Sequence, residues 1–152
     1  MEYWLIFGAM LVALAPLQYF WPTKRQRGLA HIREQAAIMG LFVELRKLPD
    51  HRLVRLSIAE NQQADWVFYG LRLSPKAEVT VGTWIRIDHE WTSMTAEASL
   101  PESLQSLPPG CDVVSIRPGC IGFYWQENQS DEQLLAAAEC LKKAASVAIE
   151  QV

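Results

Sequence analysis

Residues 3–21 form a run without one charged side chain, and Lys24, Arg25 and Arg27 follow it at once. An uncharged helix of about 19 residues, rising ~1.5 Å per residue, matches the ~30 Å hydrocarbon core of a bilayer. After Pro22 the rhythm changes. Leu29, Ile32, Ala36 and Met39 recur at three- and four-residue steps, which predicts a helix with one apolar face and Gly40 as its left-handed C′ residue. Leu41, Val43 and Leu45 then alternate with Phe42, Glu44 and Arg46, the two-residue period of a strand. Beyond the turn at Leu48-Pro49-Asp50, Val54, Leu56 and Ile58 alternate with Arg55 and Ser57 and predict a second short strand. Residues 66–73, rich in aromatic and β-branched types, predict a third. Residues 83–91 predict a fourth, with Ile85 and Ile87 on one face and Trp84 and Arg86 on the other.

The stretch 92–110 is rich in Ser, Pro and Glu and predicts irregular backbone, with one helical turn around residues 102–107. Strands over 112–117 and 120–125 flank Pro118-Gly119, a hairpin signal. Proline's negative φ disagrees with the primed two-residue turns, so a slightly wider loop is expected there. Ser130-Asp131-Glu132-Gln133 opens a closing helix with a capping box, and Leu134, Ala138, Leu141, Ala145 and Ala148 mark its buried stripe. The fold class is therefore an N-terminal transmembrane helix plus a small α+β domain, a mostly antiparallel sheet with helices packed on one face. The boundaries are 1–22 for the anchor, 23–40 for a basic juxtamembrane helix and 41–152 for the α+β head.

The anchor has further detail. Tyr3 and Trp4 at one end, and Tyr19 and Trp21 at the other, are interfacial anchors, joined by the basic Lys24, Arg25 and Arg27. Basic residues on the C-terminal side alone place the head in the cytoplasm and the N-terminus in the periplasm of a bacterial inner membrane. Glu2 replaces the basic n-region of a secretory signal, and no small-residue cleavage site follows, so the span stays uncleaved. Pro16 kinks the span, and Gly8, Ala9 and Ala13 offer small surfaces for a neighbouring helix.

Charge is unevenly spread over the 152 residues, whose net charge is −3. Residues 22–49 hold six basic and two acidic side chains, whereas residues 50–152 hold eight basic and fourteen acidic. The positive neck suits an anionic inner leaflet, and the negative head is expected to stay off that surface. A negative head also excludes nucleic acid as partner, which needs a basic footprint. Cys111, Cys120 and Cys140 show no metal-ligand spacing and read as free, small hydrophobes.

Catalytic chemistry finds no motif. Phosphate-binding glycine runs and a serine elbow are absent. Asp88-His89-Glu90 is the one dense titratable cluster, and on a strand its side chains point to opposite faces. No catalytic residue, metal ligand or cofactor is expected. Aromatic residues crowd the strands instead. Trp84, Trp91 and Tyr124 are candidates for a docking patch, while Phe123 and Trp125 share the opposite face from Tyr124.

The span followed by Trp21-Pro22 and a basic stretch, the neck ending Met39-Gly40-Leu41, and the late Phe123-Tyr124-Trp125-Gln126-Glu127 resemble a group of short bacterial inner-membrane proteins. Some of that group are labelled as similar to YajC, the small translocase-associated subunit, whose span also runs into a basic neck, here residues 22–27. The resemblance implies inner-membrane location and supplies no catalytic residue. The function expected is a non-enzymatic accessory, assembly or stabilising subunit of a larger membrane protein complex, with the bilayer and that complex as partners. An anchored binding or regulatory module is the alternative, and an anchored enzyme acting near Asp88, His89 and Glu90 is the third reading.

Overall fold

The computed structural model describes residues 3–4, 6–7, 23–58, 66–74, 77, 79–95, 99–127 and 130–150. Contacts divide the chain into two units, Met1–His31 and Ile32–Val152. The division falls inside the neck helix rather than after Gly40. In the first unit Tyr3, Trp4, Ile6 and Phe7 are helical and exposed. Gly8, Ala9, Ala13, Pro16, Tyr19 and Trp21 lie outside the described residues. Among the described residues no helix is long and apolar enough to cross a membrane.

Helix α1 (Lys24–Ile38) opens with reciprocal capping: the Thr23 N–H donates to Gln26 Oε1 at 2.9 Å, and the Gln26 N–H donates to Thr23 Oγ1 at 3.3 Å. It closes as expected at Gly40, whose φ of 83° places it in the left-handed region. The Gly40 N–H reaches Ala37 O and the Leu41 N–H reaches Ala36 O, both at 2.9 Å, which is the paired bonding of a Schellman motif. Leu41 and Ala36 are both buried, so the cap also turns the chain into the core.

The second unit is a six-stranded, wholly antiparallel sheet in the order β1-β2-β6-β5-β3-β4. The strands are β1 (Phe42–Glu44), β2 (Trp66–Arg72), β3 (Gly82–Ile87), β4 (Glu90–Ser93), β5 (Val113–Arg117) and β6 (Cys120–Gln126). Between them lie α2 (Arg52–Ser57) and α3 (Glu102–Gln105), and α4 (Asp131–Glu150) closes the chain. Alternation along the strands gives the sheet two apolar faces. Tyr69, Trp84, Val114, Phe123 and Trp125 join Leu104, Leu134 and Leu141 in one buried cluster. Phe68, Ile85, Val113 and Tyr124 join Val54 and Ile58 in the other. Helices therefore cover both faces, where one was expected, because α2 packs against the face opposite α4.

That helix is the largest departure from the sequence reading. Residues 54–58 form no strand: Val54 and Ile58, four apart, are buried, while Leu56 between them is 72% exposed. His51 caps the helix, its Nδ1 accepting the Leu53 N–H at 3.2 Å. The fourth strand also differs, being two strands, β3 and β4, folded back at Asp88-His89. The β5–β6 hairpin is as expected, but its loop is not wide. Arg117 pairs with Cys120, and Gly119 has φ 81°, so Pro118-Gly119 makes a two-residue loop with the signs of a type II turn. In α4 the Gln133 side chain accepts the Ser130 N–H at 3.3 Å, and Leu134, Ala138, Leu141 and Ala145 are buried as predicted. The Ala148 side chain lies outside those described.

Candidate functional site

Of the three aromatic residues expected to form a docking patch, Trp84 and Tyr124 are 1% exposed and sit in the two core layers. Neither presents a ring to a partner in this fold. Their strands, β3 and β6, lie inside the sheet with both faces covered, and sequence alternation alone cannot distinguish a covered face from an open one. Trp91 is half-buried; its indole N–H donates to Gln105 O at 3.4 Å and the Arg86 guanidinium lies 5.1 Å from its ring.

Arg86 organises a polar cleft of about 490 Å³ lined by Arg86, Asp88, His89, Pro109 and Asp112. Its Nε and Nη2 donate to Asp112 Oδ1 at 3.0 and 2.6 Å, Nη1 to Leu107 O at 2.7 Å, and Nη2 also to Pro108 O at 2.8 Å. A planar guanidinium suits several fixed acceptors at once. Here it staples the 107–112 loop to β3. Asp88 and His89 form the β3–β4 turn with φ 49° and 70°, the two positive values that a type I′ loop requires. Asp88, His89 and Glu90 thus do not occupy one strand. Glu90 begins β4, paired with Ile87. Among the described residues, no three His, Cys, Asp or Glu side chains could hold a metal ion together. With Arg86 engaged in the fold, the cleft is lined by the His89 imidazole together with the Asp88 and Asp112 carboxylates.

Because His89 holds a conformation that glycine adopts without strain, His89→Gly is expected to raise stability by about 1 kcal/mol. Chemical denaturation of the two proteins side by side measures it.

A second constellation joins the neck helix to the sheet. Arg33 Nε and Nη2 donate to the two carboxylate oxygens of Glu127, each at 2.7 Å, and the Tyr69 hydroxyl donates to Glu127 Oε1 at 2.8 Å. The Glu127 side chain is 9% exposed. A bidentate pair with a third donor fixes both distance and orientation. Glu127 in turn raises the Arg33 pKa further. Tyr69 and Glu127 are far apart in sequence and 94 residues separate Arg33 from Glu127, so no local pattern marks the latch.

The Tyr69 hydroxyl is pushed well above the ordinary 10.0, first by burial and then by Glu127; burial raises Tyr124 likewise and lifts the Cys111 thiol above 9.0. The folded state therefore keeps protons that the unfolded chain releases, so stability falls as pH rises. Their contribution is fully present below pH 9.0 and is lost as pH climbs through the unfolded values of 9.0 and 10.0 toward the higher folded ones. Thermal melts from neutral to alkaline pH are expected to show this decline, shallower in Tyr69→Phe.

On the α2 face, the Arg46 guanidinium lies 4.4 Å from the Phe68 ring centroid while Nη2 donates to Glu44 Oε2 at 2.6 Å. Its Nη1 is buried without an oxygen acceptor, and the ring face stands in that place. Arg72 lies 6.0 Å from the Phe42 ring on the same side. Among the cysteines, Cys111 is buried, and Cys140 Sγ lies 3.6 Å from Ser106 Oγ.

Compared with protein-family models, curated proteins and solved structures, the chain matches none.

Proposed function

We propose that the chain is a non-enzymatic accessory subunit of a bacterial inner-membrane protein complex, held by its first two dozen residues and working through a cytoplasmic head. The observation that carries this reading is the Arg33–Glu127–Tyr69 latch at the end of the basic neck. Within the second unit it fixes the C-terminal turns of α1 to β2 and the end of β6, two neighbouring inner strands. A largely buried carboxylate with three donors gives the head a preorganised surface, from which an assembly subunit benefits more than a tethered enzyme does. The uncharged run over residues 3–21 and the basic Lys24, Arg25 and Arg27 support the membrane location.

Two measurements test the reading. Purification of the intact chain in mild detergent is expected to retain a stoichiometric membrane-protein companion; a monomer with no companion overturns the accessory role. A reporter fused after Val152 is expected to be active in the cytoplasm. Replacing residues 1–22 by an unrelated span separates this role from that of an anchored regulatory module, because only the latter keeps its function after the exchange.

A further inference from the structure

The negative balance of the head is not shared by every surface. Residues 45–58 carry Arg46, Lys47, Arg52 and Arg55 against one acid, Asp50. Lys47, Arg52 and Arg55 are exposed, and so are Leu45 and Leu56, at 77% and 72%. Val54 and Ile58 pin this segment to the Phe68–Tyr124 side of the sheet. Strand register puts two more exposed cations on that side: Arg72 and Arg117 both pair with Cys120, one from β2 and one from β5. Among the described residues, the acids there include Glu44, bonded to Arg46 at 2.6 Å, and Asp50, 3.6 Å from Arg55, while Glu90 stands on the edge strand β4.

Resting on the membrane-anchored reading above, we propose that this α2-bearing face is a second membrane contact that lies against anionic lipid headgroups. Leu56, on the outward side of α2 between the buried Val54 and Ile58, enters the headgroup–acyl boundary, and Lys47, Arg52, Arg72 and Arg117 meet the lipid charge. Isolated exposed leucines are ordinary on a soluble surface. What sets Leu56 apart is its setting among exposed cations, the mixed apolar and basic pattern by which interfacial segments bind anionic bilayers. A lipid surface suits the charge better than an acidic protein groove because the cations are spread across a sheet face instead of converging on one pocket.

The test uses the full chain in nanodiscs of neutral lipid, with or without roughly 30 mol % anionic lipid. Amide exchange over residues 45–58 is expected to be about tenfold slower with anionic lipid, the difference vanishing near ~0.5 M salt. Lys47→Glu with Arg52→Glu is expected to abolish the difference while the melting temperature stays unchanged, since neither side chain is buried. Equal exchange in both lipids overturns the proposal. Protection by added polyglutamate without protection by anionic lipid also overturns it, in favour of an acidic protein partner. A chain that fails to co-elute with either disc refutes the anchor alone; anionic vesicles added to that soluble chain then decide the surface by the same exchange readout.

Discussion

Trp84→Ala is expected to lower the stability of the head by about 3–5 kcal/mol, the usual cost of deleting a large aromatic side chain from a packed core. Trp84 is 1% exposed on β3, in the layer that includes Leu104, Leu134 and Leu141. At this size the loss corresponds to a fall of ten degrees or more in melting temperature, roughly. A near-UV circular dichroism melt reads both the loss of packing and the shift. Any partner released by this variant is lost through unfolding, not through removal of a contact. A melting temperature unchanged from the parent would show that the indole does not occupy the core.

Gly122→Ala is expected to cost about 3 kcal/mol, unusual for one added methyl group. A Cβ at Gly122 would overlap the Tyr69 carbonyl oxygen and approach the Gly70 Cα at 2.9 Å. Both are backbone atoms of β2, and β6 is hydrogen-bonded between β2 and β5, so neither strand can yield without disrupting a ladder. Gly40 provides the contrast. A Cβ there meets nothing within 4 Å, although its φ of 83° disfavours a side chain. Gly40→Ala should therefore cost only about 1 kcal/mol, through local strain. Urea denaturation of the pair separates close approach from backbone conformation.

Local rules carried much of the architecture. The Schellman cap at Gly40, the hairpin around Pro118-Gly119 and the α4 stripe all depend on residues within a few positions of one another. Val54-x-Leu56-x-Ile58 misled because three apolar residues at two-residue spacing also contain an i, i+4 pair, and tertiary packing chose that pair. Asp88-His89 escaped notice as a turn because neither residue is the glycine that a type I′ loop favours. Trp84 and Tyr124 illustrate a different limit. Alternation sorts side chains within each strand but does not relate β3 to β6; the structure puts Trp84 and Tyr124 in different core layers, and α2, whose residues carry a strand-like rhythm, covers the Tyr124 side. The latch of Arg33 with Glu127 and Tyr69, and the Arg86 staple, join distant segments and leave no periodic trace.

The sheet order has a bearing on how the protein is born. β2 pairs along seven residues with β6, which begins 48 residues after β2 ends. During synthesis, then, a strand as apolar as Trp66-Val67-Phe68-Tyr69 leaves the ribosome long before its main neighbour exists. Such unpaired strands are prone to aggregate. The β5–β6 hairpin can close within its own two-residue turn, and β2 must wait to be captured by it. Nascent chains stalled before β6 are accordingly the stage at which a chaperone has most to protect.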